Sequence, residues 1–210
     1  MVHEIPKLII IPVVNLWVKK ITGLENAPKN CAFILAANHS SYMDHLIVGS
    51  TIIPYLDKKI HYLAKKEHFD NFLERKWHNY VGAIPVDRQS GGKKALKHAI
   101  KALKHGEIIA IYPEGTRTLT GKMQKAKTGV ARLALLSKAP VLPIGLIGTF
   151  EILPKGKYIP RLKKAEMNIG KPMYFNKYYN KRMTKKLLRQ ITTKIMREVA
   201  RLSGQKYNFD

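Results

Sequence analysis

The chain of 210 residues predicts a single α/β domain, with a central mixed, largely parallel sheet flanked by helices. Three observations carry that expectation. Short apolar runs recur and end in polar turns, at Phe33–Ala37, Ile60–Ala64, Ala83–Val86, Glu107–Tyr112 and Val141–Ile147. Helical stretches separate them, as parallel crossovers require. Hydrophobic residues make up 45% of the chain, with two tryptophans and ten tyrosines, which excludes general disorder and leaves ample material for one core.

Leu8–Val18, LIIIPVVNLWV, is the most apolar segment. Interrupted by Pro12 and Asn15, it falls short of the about 20 apolar residues that a bilayer span needs. Trp17 followed by Lys19 and Lys20 suits a helix lying in a headgroup zone, and an ordinary core helix fits the apolar run as well. No small-x-small cleavage site follows, so a signal peptide is not expected. Gly23–Asn30 is a turn-rich connection to the first strand.

After that strand, His45–Ile53 reads as a packed helix ending before Pro54. Ile60–Ala64 is a second strand feeding Lys65, Lys66 and Glu67, and His68–Tyr80 is a mixed segment of helical character. Ala83–Val86 is a buried strand that ends at Asp87 and Arg88. Gly91–His105 is an amphipathic helix: Ala95, Leu96, Ala99, Ile100 and Leu103 share one face, Lys94, Lys97, Lys101 and Lys104 the other. Gly106 stops it. Beyond the strand Glu107–Tyr112, a helix runs from about Val130 to Lys138, and Val141–Ile147 is apolar throughout. Pro143 inside that last strand points to an edge, an end or a bulge. Glu166–Gly170 reads as an edge strand. Thr184–Leu202 is a closing helix with Leu188, Ile191, Ile195, Val199 and Leu202 facing inward.

Charge and cysteine content narrow the partners. Against 38 Lys and Arg stand 14 Asp and Glu, a net charge of +24 that calls for an anionic partner. Nucleic acid, an anionic lipid face and an acidic carrier protein all satisfy it. Sixteen of the cations lie between Lys155 and Lys206, opposed only by Glu166 and Glu198, either as a solvated face or as a basic apron against lipid. Zinc-finger and RNP-like patterns are missing, which weighs against nucleic acid. The single cysteine, Cys31, precludes an internal disulfide and any Cys-rich metal site. The eight histidines lack HExxH-type pairs, so no metal is implied.

Two turns carry the chemistry. The first strand discharges into Asn38, His39, Ser40, Ser41 and, two residues on, Asp44. If a helix starts near Tyr42, the Asp44 carboxylate folds back to one ring nitrogen of His39 and leaves the other to take a proton. On spacing alone such a pair is more often a helix cap or a surface pair. The strand Glu107–Tyr112 ends in Glu114, Gly115, Thr116 and Arg117, where glycine and guanidinium can approach an anion together. A base beside an anion site, with no protein nucleophile, leaves the substrate to bring its own hydroxyl.

These residues resemble the 1-acyl-glycerol-3-phosphate acyltransferase family of glycerolipid acyltransferases. Asn38–Asp44 matches its NHxxxxD block, Lys65-Lys66-Glu67 through Gly82–Arg88 its second, Tyr112–Thr118 its PEGTR block, and Val141–Ile144 its apolar block around proline. All four stand in the family's order, whereas Phe72 and Arg75 replace a proline and a glycine of its pattern. The resemblance implies acyl transfer from an acyl thioester, acyl-CoA or acyl carrier protein, to the free hydroxyl of lysophosphatidic acid, with no cofactor. Glycerol-3-phosphate or another lyso-lipid is the alternative acceptor, and a basic nucleic-acid-binding protein the distant rival. It implies His39 as general base, with Asp44 orienting its ring. Arg117 becomes the phosphate ligand, with Gly115, Thr116, Lys65, Arg88 and a site-shaping Pro143 in support. Glu114 is expected to orient Arg117 or touch the acceptor. It also tilts residues 1–22 towards a membrane-associating interfacial helix ahead of an acyltransferase domain at 23–210. The expected place is the cytoplasmic face of a membrane, peripheral or monotopic, among anionic lipids.

Overall fold

The computed structural model describes residues 4–87 and 92–210. Arg88 and Gly91 therefore lie outside the described residues. Seven strands form one sheet: β1 (Val18–Thr22), β2 (Ile34–Ala37), β3 (Ile60–Lys65), β4 (Ile84–Val86), β5 (Ile108–Ile111), β6 (Val141–Ile147) and β7 (Ala165–Ile169). Their order across the sheet is β1-β7-β6-β2-β5-β3-β4, and only the β6–β7 pair is antiparallel. The mixed, largely parallel sheet expected from the sequence is thus present.

β2 sits at the centre because its residues can be covered on both faces, and Phe33 through Ala37 have no exposed surface. Helices α1 (Glu4–Asn15) and α2 (Asp44–Leu56) cover the face carrying Phe33, Leu35 and Ala37. The face carrying Ile34 and Ala36 is covered by α4 (Lys93–Lys104), α5 (Gly129–Ser137) and α7 (Lys185–Ser203). A short α3 (Phe72–Tyr80) links β3 to β4, and the single turn α6 (Thr149–Ile152) follows β6. The chain leaves β2 through α2 towards one edge, whereas it leaves β5 through α5 towards the other. Such a reversal opens a crevice at the strand C-termini, where ligands of α/β sheets bind.

α7 is fixed at both ends. Thr184 Oγ1 accepts the Leu187 N–H at 3.1 Å, and Gly204 closes the helix with φ 68°. Its last turn crosses directly over Gly145 of β6, where an added Cβ would lie 2.3 Å from the Leu202 carbonyl carbon and the Ser203 nitrogen. The inward residues read from the sequence, Leu188, Ile191, Ile195, Val199 and Leu202, are all buried.

Several elements differ from the sequence reading. The N-terminal helix ends at Asn15, and Val18–Thr22, expected to belong to it, is an edge strand paired in parallel with β7. Its two lysines are exposed, and Lys19 Nζ reaches Glu166 Oε1 at 2.8 Å, so they decorate a sheet edge instead of a helix. β7 accordingly lies between β6 and β1 and is not an edge strand. α2 runs on through Pro54, exposed in its last turn, to an αL cap at Asp57. Pro143 is buried in the middle of the interior strand β6, opposite Ala36. Its carbonyl accepts the Gly170 N–H at 2.9 Å, so its missing donor faces the same side, where pairing with β7 begins only at Ile144. The basic run after Lys155 is also divided. α7 packs on one face of the sheet, whereas the loop 155–164 is tied to the turn after α1 on the other, Trp17 Nε1 donating to the Arg161 carbonyl at 2.9 Å.

Candidate active site

The turn after β2 is built by its own polar side chains. The Asn38 amide continues the strand, donating to the Leu146 carbonyl at 2.9 Å and accepting the Leu146 N–H at 2.8 Å. Only a side chain that both donates and accepts can copy a peptide group in this way. Ser41 Oγ donates to the Leu153 carbonyl at 2.7 Å and accepts the Met43 N–H, while Ser40 Oγ pairs with Thr149 Oγ1 at 2.8 Å. Asp44 opens α2 and is fully buried. Its Oδ2 accepts the Ser40 and Ser41 N–H groups at 2.7 and 2.8 Å and faces His39 Nδ1 at 2.8 Å. A carboxylate so placed fixes the proton on Nδ1 and leaves Nε2 as the basic nitrogen. The ring is then sandwiched on Tyr112, with centroids 4.1 Å apart and planes at 17°.

The turn after β5 locks onto the first. Glu114 Oε1 accepts the His39 N–H at 2.9 Å and Oε2 the Gln124 N–H at 2.8 Å, while the Thr118 N–H donates to the His39 carbonyl at 3.0 Å. Burial pushes the Glu114 carboxyl up to about 7, against the two backbone hydrogen bonds, which hold it down. Its carboxylate therefore braces the two turns and is not directed at Arg117, contrary to expectation. The Arg117 guanidinium lies over the Tyr42 ring, 3.4 Å from its centroid, so a ring face aims it and its N–H edge is left to an anion. Gly115 adopts φ +77°, and Lys127 passes over the space a Cβ would fill, 3.3 Å away at Cε. A second cation thereby joins Arg117 at this turn.

Other expected residues are dispersed. Thr116 is exposed in the turn and accepts Gln124 Nε2 at its carbonyl, 3.1 Å. Lys65 ends β3, which β5 separates from the strand of His39. Pro143 shares its β6 face with Val141, its ring beside Gly170, and α7 covers that face; the dyad lies towards the α2 side. Arg88 is outside the described residues. The sequence reading had not singled out Lys127, Tyr42 or the stacking of Tyr112 as site features. Nor had it singled out His45, which burial and the charge of His39 hold down to about 4, as a neutral neighbour of Asp44. Tyr42 inside the first motif and Tyr112 at the head of the second were the available signal. Backbone donors of the first turn are already committed: the N–H groups of His39, Ser40, Ser41 and Tyr42 all bond within the protein.

A family profile described as Acyltransferase matches residues 19–147, which contain both turns. This chain is a member of that acyltransferase family. The acyltransferase is 36% identical over 155 residues to the 1-acyl-sn-glycerol-3-phosphate acyltransferase of Bacillus subtilis (strain 168), covering 74% of this chain and 73% of that protein. It is 29% identical to the chloroplastic 1-acyl-sn-glycerol-3-phosphate acyltransferase BAT2 of Brassica napus, of whose length it spans 45%. Among solved structures, the 1-acyl-sn-glycerophosphate acyltransferase of Thermotoga maritima superposes with a TM-score of 0.72 at 25% identity, covering 96% of this acyltransferase and 81% of that chain.

Proposed function

We propose that this acyltransferase moves a fatty-acyl group from acyl-CoA or acyl carrier protein to the free hydroxyl of 1-acyl-glycerol-3-phosphate, giving phosphatidic acid for phospholipid synthesis. The observation that carries the reading is the crosswise bonding of the base turn to the cationic turn through Glu114 and Thr118. The curated relatives named for this acceptor support it.

The acceptor phosphate lies against Arg117, with Lys127 beside it. His39 Nε2 takes the proton of the acceptor hydroxyl as its oxygen attacks the thioester carbonyl carbon. Asp44 keeps Nδ1 protonated and stabilises the imidazolium, as the carboxylate of a triad does. The tetrahedral intermediate expels the thiolate, which receives the proton from Nε2 and leaves as the free thiol. The N–H groups of the His39–Tyr42 turn are engaged, so the oxyanion falls to donors outside that turn and to the field of the nearby cations. No metal or cofactor is required by these steps.

An apolar groove of about 420 Å³ runs between α1 and α2, lined by Val14, Trp17, Leu153 and Pro160 together with Met43 and Leu46, the residues on either side of the Asp44–His45 pair. It suits an acyl chain on its way to the dyad. Its rim faces a lipid surface in this reading. Leu8 of α1 and Leu16 of the turn after it are exposed, and Tyr158, Ile159 and Leu162 are 87%, 83% and 96% exposed among Lys155, Lys157, Arg161, Lys163 and Lys164. Apolar tips among cations suit an anionic leaflet, and cytosolic acyl donors place it on the cytoplasmic side. Among the described residues no helix is long and apolar enough to cross a membrane.

The test is acyl transfer from labelled oleoyl-CoA to lysophosphatidic acid, glycerol-3-phosphate or a neutral lyso-lipid on anionic vesicles, beside His39→Ala. Phosphatidic acid formed by the parent alone supports the reading. Product from glycerol-3-phosphate only would move the acceptor, and equal activity in His39→Ala would overturn the mechanism.

A further inference from the structure

Outside the two turns, folding gathers three residues that the sequence scatters: His68, Glu74 and His78. His68 stands on the 3-10 turn Lys66–Phe69 that follows β3. Glu74 and His78 lie one helical turn apart on α3, at the i, i+4 spacing that puts two side chains on one face. One ligand atom from each lies within 4.8 Å of the other two.

His68 Nδ1 and Glu74 Oε2 are within hydrogen-bond reach, and two distances in the cluster also fit an ion. His68 Nδ1 is 3.3 Å from Glu74 Oε2. A charge-assisted N–H···O bond closes to about 2.7–2.9 Å, whereas two ligands bound to one tetrahedral zinc at about 2.0–2.1 Å each stand about 3.3 Å apart. The ring centroids of His68 and His78 are 5.4 Å apart, against about 5.2 Å for two imidazoles sharing such an ion. Both separations match an ion held between the groups.

We propose that His68, Glu74 and His78 form a transition-metal site of the zinc class, with its remaining coordination open to water. Two imidazoles and one carboxylate select zinc and its neighbours over magnesium or calcium, which prefer all-oxygen shells. Lys66, Arg75 and Lys76, exposed on the same segment, oppose any cation held by charge alone. The ion staples the segment between β3 and β4, at the strand end shared by the two turns. Its role is structural positioning.

The experiment uses untagged protein stripped with a chelator and titrated with Co²⁺, then Zn²⁺, with no substrate present, so that it stands apart from the acyl-transfer reading. One equivalent of Co²⁺ with the visible absorption of a tetrahedral N/O site, displaced by Zn²⁺, is expected. Glu74→Gln, which keeps the size of the side chain, and His78→Ala weaken binding by at least about tenfold, the lower bound for losing even an outer-shell partner. His105→Ala does not. Hydrogen exchange across residues 66–80 slows with Zn²⁺ in the parent and not in Glu74→Gln. Saturable binding that survives both variants, absence of stoichiometric binding, or unchanged exchange on binding would each overturn the site.

Discussion

Replacing Asp44 by Asn isolates charge from shape at the candidate dyad. The side chain is fully buried, and its Oδ2 takes His39 Nδ1–H and the N–H groups of Ser40 and Ser41 within 2.8 Å. An asparagine must turn its oxygen to the two backbone donors, since its NH₂ there would face N–H groups. Those bonds persist but become neutral, losing about 1 kcal/mol each, because charge-assisted bonds are about twice as strong. Relief of the buried charge offsets part of that, so the variant is expected to lose about 1–2 kcal/mol of stability and remain folded. The rate suffers far more. Nδ1 keeps only a neutral acceptor where the carboxylate oxygen stood, and the imidazolium loses its counter-charge. In the Ser-His-Asp template the same exchange costs about 10⁴ in kcat, or about 5.5 kcal/mol. The assay is kcat with oleoyl-CoA and lysophosphatidic acid, alongside urea unfolding of the same preparations. His39→Ala and the double variant His39→Ala/Asp44→Asn should be equally slow, since the pair acts as a unit. A single Asp44→Asn variant within tenfold of the parent, or a double variant much slower than His39→Ala, would refute the dyad.

Other outcomes follow from the same geometry. Arg117→Ala should raise the KM for the phosphorylated acceptor by at least tenfold while kcat falls less, because a guanidinium–phosphate contact contributes about 1.5–3 kcal/mol; steady-state kinetics with the acceptor varied checks this. The Glu114 carboxyl is raised from 4.5 to about 7, so the native state binds the extra proton between these values. Stability should therefore fall as pH rises from 5 to 8, by about 3 kcal/mol at 1.4 kcal/mol per pH unit. Urea midpoints should show that slope in the parent and lose it in Glu114→Gln. Tyr112→Phe removes a buried hydroxyl that has no partner among the described residues and keeps the ring on His39. It should leave kcat unchanged and raise stability by up to about 1 kcal/mol in a thermal melt. Gly145→Ala forces a methyl against the backbone of α7 and should destabilise by about 1–3 kcal/mol, measured the same way.

The strands that end at the two turns were legible because they are continuously apolar and stop in polar punctuation. α4 and α7 were legible through their stripes of Ala, Leu, Ile and Val. β1 was not: VKKIT is an edge strand with two exposed lysines, and nothing in five such residues separates it from the tail of the preceding apolar helix. Misplacing β1 made β7 look like an edge. Pro143 and Pro54 misled because a proline's cost depends on whether its missing donor would have met a partner, which is a tertiary property. At the site, residue identities were readable and their division of labour was not. Glu114 reads as a ligand in sequence, yet both of its oxygens meet backbone N–H groups from elsewhere in the chain. His68 and His78 sit ten residues apart across a turn, a spacing that belongs to no zinc pattern until α3 is folded.

The cross-bonding of the two turns has a geometric consequence for what is acylated. Because His39 is held at its N–H by Glu114 and at its carbonyl by Thr118, the imidazole and the guanidinium of Arg117 cannot drift apart independently. Under the function proposed above, the pair works as a caliper of fixed opening, one jaw on a phosphate and the other on a hydroxyl. Regiochemistry on the glycerol backbone is then a matter of span: the oxygen that loses its proton is the one that many bonds from the phosphorus, and an acceptor stretched by one methylene presents nothing to the second jaw.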